Sequence, residues 1–317
     1  MKKFLLSVLC AAALLLGGAC EKIIEFHGPQ VEPQLTMSSQ ATVGEPLRAY
    51  FSTSVFFLDS DRNGQAFKDK LDPALASVRC YVNGDDKGME MALNKDMSFS
   101  SYCFEADYVP APGDRIRLEA QFPGFDPVWA ETTVPRMPQF ELLSVEWKAM
   151  ESDLAEFFED EETSYEVTVM LAVTDDGSYD KYYFLQPAIR YSTDWIDEEV
   201  WVSATFSSND IVFQEAKGGA AQLFGSSGYY FSDALIKGQR HVFTIQLTYM
   251  PAPETLAGMG IRVASANEDL YWYDWSYGQV AGGFAGIFTE GVTLYSNVNG
   301  GYGVFCAVAP AWLDVEL

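Results

Sequence analysis

The chain has 317 residues, with 45 Asp and Glu against 20 Lys and Arg, and a formal charge of −25. A surface this acidic repels phosphate backbones, so nucleic acid is excluded as a partner. The length is sufficient for two domains with cores of their own.

The first twenty residues have the order of a secretory signal. Lys2 and Lys3 precede an apolar run that ends in small residues before Cys20. The apolar run over residues 4–19 is shorter than the roughly 20 apolar residues that a transmembrane helix needs. We therefore predict that residues 1–19 are a signal peptide and that Cys20 is lipidated, carrying palmitate or a similar acyl chain.

The remainder divides by composition into a tether and two β-rich domains. Residues 20–33 are polar and contain prolines, which is typical of a tether. Residues 34–135 carry six or seven short alternating segments separated by turn residues, which predicts an immunoglobulin-like sandwich. Pro135 and Pro138 indicate a boundary, and residues 136–317 predict a larger β-rich domain with at most a few short helices.

Three cysteines remain after Cys10 leaves with the signal and Cys20 takes the lipid. In an exported chain, Cys80 and Cys103 are candidates for a disulfide, since both lie in strand-like runs of the first domain. The alternative is that Cys80, Cys103 and Cys306 are buried free thiols.

Catalytic signatures are missing from the sequence. The two histidines, His27 and His241, lie far apart, and no Gly-x-Ser-x-Gly elbow or spaced Cys/His pairs accompany them. The acidic run over 151–162 is a solvated segment or, alternatively, a cation site. Asp175–Asp180 lacks the alternating ligands of an EF-hand and favours a turn. We therefore expect no cofactor, no metal and no catalytic residue.

Aromatic residues concentrate in residues 270–277, which read LYWYDWSY and fit either a strand or a helix. Tyr271, Trp272, Tyr273 and Trp275 form either part of a core or a contact surface for a glycan, a peptide or a protein. Glycine-rich stretches at 282–286 and 299–303 lack the context of a phosphate loop and predict turns or close backbone packing.

Several short segments together resemble a known family. They are Cys20-Glu21-Lys22, Thr132-Thr133-Val134-Pro135, Asp175-Asp176-Gly177 before Lys181-Tyr182-Tyr183, Phe231–Leu235 before Lys237-Gly238-Gln239, and Leu294–Phe305. This order resembles Bacteroidota lipoproteins known only as a domain of unknown function. The resemblance implies an outer-membrane lipoprotein, often encoded beside TonB-dependent receptors, and it assigns no catalytic residue.

These observations predict a non-enzymatic lipoprotein of the cell envelope, held on the outer membrane through Cys20, with the leaflet left open. Its expected role is an accessory or binding subunit, working with an outer-membrane TonB-dependent receptor. A structural or adhesive surface protein is the alternative. A hydrolase with a carboxylate pair is the third reading, because acidic residues are plentiful and only their separation in space identifies such a pair.

Overall fold

The computed structural model describes residues 32–54, 70–94, 101–150, 164–179, 181–193, 196–214, 228–249, 256–281 and 293–315. The chain divides into Met1–Glu32 and one compact unit, Pro33–Leu317. The described part of the compact unit is mainly β, which confirms the predicted fold class.

Sixteen strands are present among the described residues. They are β1 Leu35–Thr42, β2 Arg48–Thr53, β3 Ser77–Val82, β4 Asp85–Asp86, β5 Glu90–Ala92, β6 Tyr102–Glu105, β7 Arg115–Gln121, β8 Val128–Thr133, β9 Phe140–Met150, β10 Ser164–Thr174, β11 Tyr182–Thr193, β12 Ile196–Ser203, β13 Tyr229–Ser232, β14 Arg240–Tyr249, β15 Leu256–Ala266 and β16 Tyr302–Val315. Alternation of apolar and polar residues produces many of them: in β7 every second side chain is buried.

Helical structure in the described residues is limited to a 3-10 turn at Pro73–Leu75 and two α-helices, α1 (Ile211–Gln214) and α2 (Glu268–Ala281). The aromatic stretch that fitted either a strand or a helix is therefore helical, because it lies within α2.

The strands form three sheets. A nine-stranded sheet has the order β12-β11-β15-β16-β1-β2-β6-β5, with β13 also pairing with β11. A four-stranded sheet has the order β4-β3-β7-β8, and a three-stranded sheet has the order β14-β10-β9. Strand β1 pairs in parallel with β16, so the large sheet contains strands from both sides of the predicted boundary at residues 135 and 136. The immunoglobulin-like assignment of residues 34–135 stays a prediction.

Two of the three apolar cores lie on one face of the large sheet. The first core fills the space to the four-stranded sheet, where the rings of Phe51 and Phe122 have centroids 5.4 Å apart. The second core joins β11 and β15 to the three-stranded sheet. On β16, Phe305 belongs to the first core while its neighbour Cys306 faces the third core, which packs against α2. Because side chains alternate along a strand, α2 covers the opposite face of the large sheet.

Cys80, Cys103 and Cys306 are free and buried in the structure, which is the second of the two alternatives that the sequence left open. Cys80 lies in the first core on β3. On β6, Tyr102 and Phe104 pack against that core, so Cys103 between them points to the other face of its sheet. Sulfurs that point away from each other cannot be bridged without moving the backbone.

The glycines at the start of β16 are required by close backbone packing. Gly303 has a φ of +121°, and a Cβ there would lie 1.9 Å from the carbonyl oxygen of Met37 on β1. A Cβ at Gly301 would lie 2.2 Å from the carbonyl oxygen of Leu35. This confirms the prediction of turns and close packing over residues 299–303. The other glycine stretch, 282–286, lies outside the described residues.

Candidate functional site

A cleft of about 630 Å³ lies where the end of β8, the segment after it and the start of α2 meet. Its walls include Thr132 and Thr133 from β8, Arg136 from the following segment, Tyr179, and Glu268 from the first turn of α2. The cleft therefore draws residues from both sides of the predicted domain boundary.

Asn267 fixes the start of α2 against this cleft. Its side-chain oxygen accepts hydrogen bonds from the backbone N–H of Leu270, at 3.2 Å, and of Ala307, at 3.1 Å. Its amide nitrogen donates to the hydroxyl of Thr132 at 2.8 Å and to Asp269 at 2.9 Å. Asn267 is thus an N-cap of α2 that also bonds to β8 and β16.

The two arginines that line the cleft, Arg115 and Arg136, are each bonded to a carboxylate. Glu131 accepts hydrogen bonds from Arg115 and from Arg117, at 2.9 Å in the second case. Arg115 and then Arg117 lower the pKa of Glu131. Arg136 lies 3.3 Å from a carboxylate oxygen of Asp176. These pairs shape the cleft wall, and the Glu131 carboxylate has both oxygens engaged.

Asp269 is a second half-buried carboxylate at the cleft. Burial raises its pKa, and hydrogen bonds from Tyr295 and Asn297 act in the opposite direction. The hydroxyl of Tyr295 donates to Asp269 at 2.6 Å. Since the first turn of a helix favours negative charge, this carboxylate also suits its position in α2.

A second cluster supports the wall of the cleft that contains Tyr179. Asp175 accepts from the backbone N–H of Gly177 and Gly238 on one oxygen, at 2.7 and 2.8 Å. Its other oxygen accepts from Lys181, at 3.0 Å, and from the hydroxyl of Tyr183, at 2.7 Å. Burial alone would raise the pKa of Asp175, but these hydrogen bonds bring it below its usual value. In the segment predicted as a turn, both carboxylate oxygens of Asp175 are therefore occupied by hydrogen bonds and by the ion pair with Lys181.

The candidate contact residues on α2 divide between two environments. Tyr271 stacks on Tyr182, with ring centroids 4.4 Å apart, and Tyr273 packs against the third core. Trp272 is 37% exposed, and its ring meets that of Trp275 edge to face at 5.9 Å. The sequence alternatives, core and contact surface, thus both occur on this helix.

The carboxyl group of Asp274, a residue of α2, is largely buried and has a shifted pKa. Burial raises the pKa of Asp274 to about 6, although the neighbouring hydroxyl of Tyr230 acts to lower it. Oxygen Oδ2 of Asp274 is buried and has no hydrogen-bond partner among the described residues. Cys306 lies in the same core, and burial and then Asp274 raise its pKa.

His241 lies on β14, and its Nε2 is 3.0 Å from a carboxylate oxygen of Asp210, which also caps α1. The nearby Ser208 hydroxyl donates to the carbonyl of Thr244 at 2.6 Å instead of to the histidine. His241 and Asp210 are therefore within hydrogen-bond distance, but Ser208 does not complete a Ser-His-Asp set of contacts. Among the described residues, no group of His, Cys, Asp and Glu has the arrangement of a metal site.

The predicted signal peptide, Cys20, all of the tether except residues 32 and 33, and the acidic run over 151–162 also lie outside the described residues. No helix in the described part has the length and hydropathy to cross a bilayer.

Sequence reasoning missed Asn267 and Thr132. A usable signal existed for Asn267, because Asn followed by Glu268 and Asp269 is the pattern of a helix start. Thr132 gives no such signal, since its role depends on a partner 135 residues away.

A search of curated proteins found no match to this chain. A family model described as Domain of unknown function (DUF4249) matches residues 21–311, and the chain therefore belongs to that family.

Proposed function

We propose that this protein is a non-enzymatic lipoprotein of the cell envelope. It is anchored through Cys20 and acts as an accessory or binding subunit of an outer-membrane transporter of the TonB-dependent receptor class. The family match begins at residue 21, directly after Cys20, and the compact unit begins at Pro33. These two starting points support the proposal that residues 1–19 are a signal peptide and that residues 20–33 are a tether before the folded domain. The resemblance to Bacteroidota lipoproteins encoded beside such receptors supports the partner.

The observation that carries the binding role is the construction of α2. Its N-cap holds it to β8 and β16, and it displays the exposed side chains of Trp272 and of Tyr277, which is 47% exposed. Trp and Tyr supply large contact areas at little cost in conformational entropy and are enriched at the centres of protein interfaces. A rigid helix that displays them suits docking to a partner protein.

The cleft suits binding better than hydrolysis. Glu131 is held by two arginines, and Asp269 is hydrogen-bonded to Tyr295 and to Asn267. A carboxylate pair for glycoside hydrolysis needs one free base or nucleophile and one proton donor facing the substrate. The carboxylates of this cleft are engaged with neighbouring side chains, so we rank a hydrolase last.

Anchoring is tested by replacing Cys20. The expected result is that the Cys20→Ala variant takes up no radiolabelled palmitate and leaves the membrane fraction, while the parent chain is labelled and sediments with membranes. Labelling of the variant equal to that of the parent chain would refute anchoring at this residue.

The partner is tested by crosslinking in cells and purification through a tag on the full chain. We expect an outer-membrane β-barrel to copurify with the parent chain, and much less of it with Trp272→Ala. Leu143→Ala is a matched control, since Leu143 is an equally exposed apolar residue on β9. Absence of a barrel after crosslinking would refute the transporter partnership.

A further inference from the structure

A second aromatic surface lies on the same face of the nine-stranded sheet as α2, toward the β12 edge. The strand registers place Arg190 opposite both Trp201 and Gly258, and Ala188 opposite both Ser203 and Gly260. Trp312 on β16 lies opposite Arg262. Paired residues in neighbouring strands share a face, so these side chains occupy one continuous area.

Two tryptophans form a corner on this area. The rings of Trp201 and Trp312 meet at 74° with centroids 4.5 Å apart, and Trp201 is 43% exposed. The guanidinium of Arg190 lies over the ring of Trp201 at 5.4 Å and donates to the carbonyl of Ala257 at 3.0 Å. We call the rings of Trp201 and Trp312 the indole corner.

The backbone of β15 fixes the orientation of one ring. A Cβ at Gly260 would lie 2.2 Å from the indole of Trp312, so the ring occupies the space of the missing side chain. Its Nε1 donates to Oδ1 of Asp314 at 2.8 Å. The indole is therefore held before any ligand arrives, which lowers the entropy cost of binding.

The indole corner is flanked by one positively charged side chain, Arg190, and one negatively charged side chain, Asp314. Arg190 supplies N–H donors, and the carboxylate of Asp314, which already accepts from Trp312, supplies acceptor oxygens. A ligand's hydroxyl groups both donate and accept hydrogen bonds, so they can bond to the donors of Arg190 and to the acceptor oxygens of Asp314. Small-ligand sites are lined mainly by apolar and aromatic side chains with a few placed polar groups, and the indole corner shares this composition.

We propose that the indole corner binds a neutral oligosaccharide of hexose units, with the C–H face of a sugar ring on Trp201 and its hydroxyl groups at Arg190 and Asp314. The formal charge of −25 disfavours an anionic ligand, and the guanidinium of Arg190 over Trp201 disfavours a cationic one, which leaves a neutral ligand. This inference names a ligand class for the proposed binding subunit and rests on that role, but its surface is separate from α2.

The test is isothermal titration of the full chain, purified in detergent, with maltohexaose, cellohexaose, laminarihexaose and mannohexaose. We expect at least one of them to bind, and Trp201→Ala to weaken that binding by about tenfold or more. Gly260→Ala is the second variant, because its Cβ displaces the ring of Trp312 while leaving both tryptophans in the chain. It should weaken binding as well.

Trp129→Ala is the matched control, because Trp129 on β8 is 37% exposed and its ring also lies under an arginine, Arg117. We expect this variant to change the affinity by less than about twofold. Unfolding curves of every variant establish that the chain is folded. If none of the four sugars binds at millimolar concentration, or if Trp201→Ala and Gly260→Ala bind as the parent chain does, the proposal is wrong. The titration tests the indole corner, whereas the crosslinking experiment tests α2 in cells. Failure of sugar binding therefore does not imply failure of the proposed transporter partnership, and the reverse also holds.

Discussion

The amide nitrogen of Asn267 donates a hydrogen bond of 2.8 Å to the hydroxyl of Thr132, which is 4% exposed. The two residues are 135 positions apart in sequence. This contact joins the N-cap of α2 to the last strand of the four-stranded sheet. It therefore ties the aromatic helix and the cleft to the same framework.

Replacing Asn267 by Ala should destabilise the chain by about 2 kcal/mol, because the N-cap and the bond to Thr132 are lost together. Thr132→Val removes only the hydroxyl and should cost about 1 kcal/mol. Urea unfolding of both single variants and the double variant measures the coupling. Strict additivity of the two costs would contradict a direct contact between the residues.

Replacing Asp175 by Ala should cost about 3–5 kcal/mol, since it leaves the buried ammonium of Lys181 without one of its two carboxylate partners. Asp176 is the matched control, because its side chain is 39% exposed. Asp176→Ala should cost at most about 1 kcal/mol by the same unfolding measurement. Equal costs for the two variants would contradict the central position of Asp175.

The same network predicts a loss of stability in acid. The pKa of Asp175 is below its usual value in the folded chain, so the unfolded chain binds more protons as the pH falls. The contribution is present above about pH 4 and is lost below it. Asp175→Asn should therefore show a shallower loss of stability between about pH 5 and pH 2 than the parent chain. An unchanged slope would contradict this assignment.

For Asp274 we predict the opposite dependence of stability on pH. Its pKa of about 6 lies above the ordinary 3.8, so the folded chain binds the extra proton and stability falls as the pH rises between these values. The difference corresponds to about 3 kcal/mol at pH 7. Asp274→Asn should be more stable than the parent chain at neutral pH and should lose this dependence. Asp107→Asn, at an exposed position, should behave as the parent chain does.

Thiol titration tests the cysteine assignment. The mature chain, unfolded without reductant, should show the three thiols of Cys80, Cys103 and Cys306. In the folded chain they should react slowly, because burial raises the pKa of Cys80 to about 12 and also raises the pKa of Cys103. A single titratable thiol in the unfolded chain would indicate the disulfide that the sequence allowed.

Local patterns made much of the fold predictable. The alternation over Arg115–Gln121 is strand β7, and Asn83-Gly84 is the two-residue turn between β3 and β4, with positive φ at both positions. The parallel pairing of β1 with β16 could not be predicted, because it joins distant strands through backbone hydrogen bonds that leave no periodicity.

The candidate site was predicted less completely. The aromatic residues of α2 are visible in sequence, but the division between the half-buried Tyr271 and the exposed Trp272 depends on where the helix meets the large sheet. Trp201 and Trp312 are 111 residues apart in sequence and become neighbours only through the strand order β12-β11-β15-β16. Such surfaces follow from tertiary register and not from local pattern.

The measurement that tests the central claim most directly is crosslinking in living cells from a photoreactive residue at position 272, with position 143 on β9 as the control site. The account predicts that Trp272 replaced in this way gives an adduct with an outer-membrane β-barrel protein, that the adduct requires Cys20, and that Leu143 replaced in the same way gives little or none. Equal yields from the two positions, or no adduct from position 272, would contradict it.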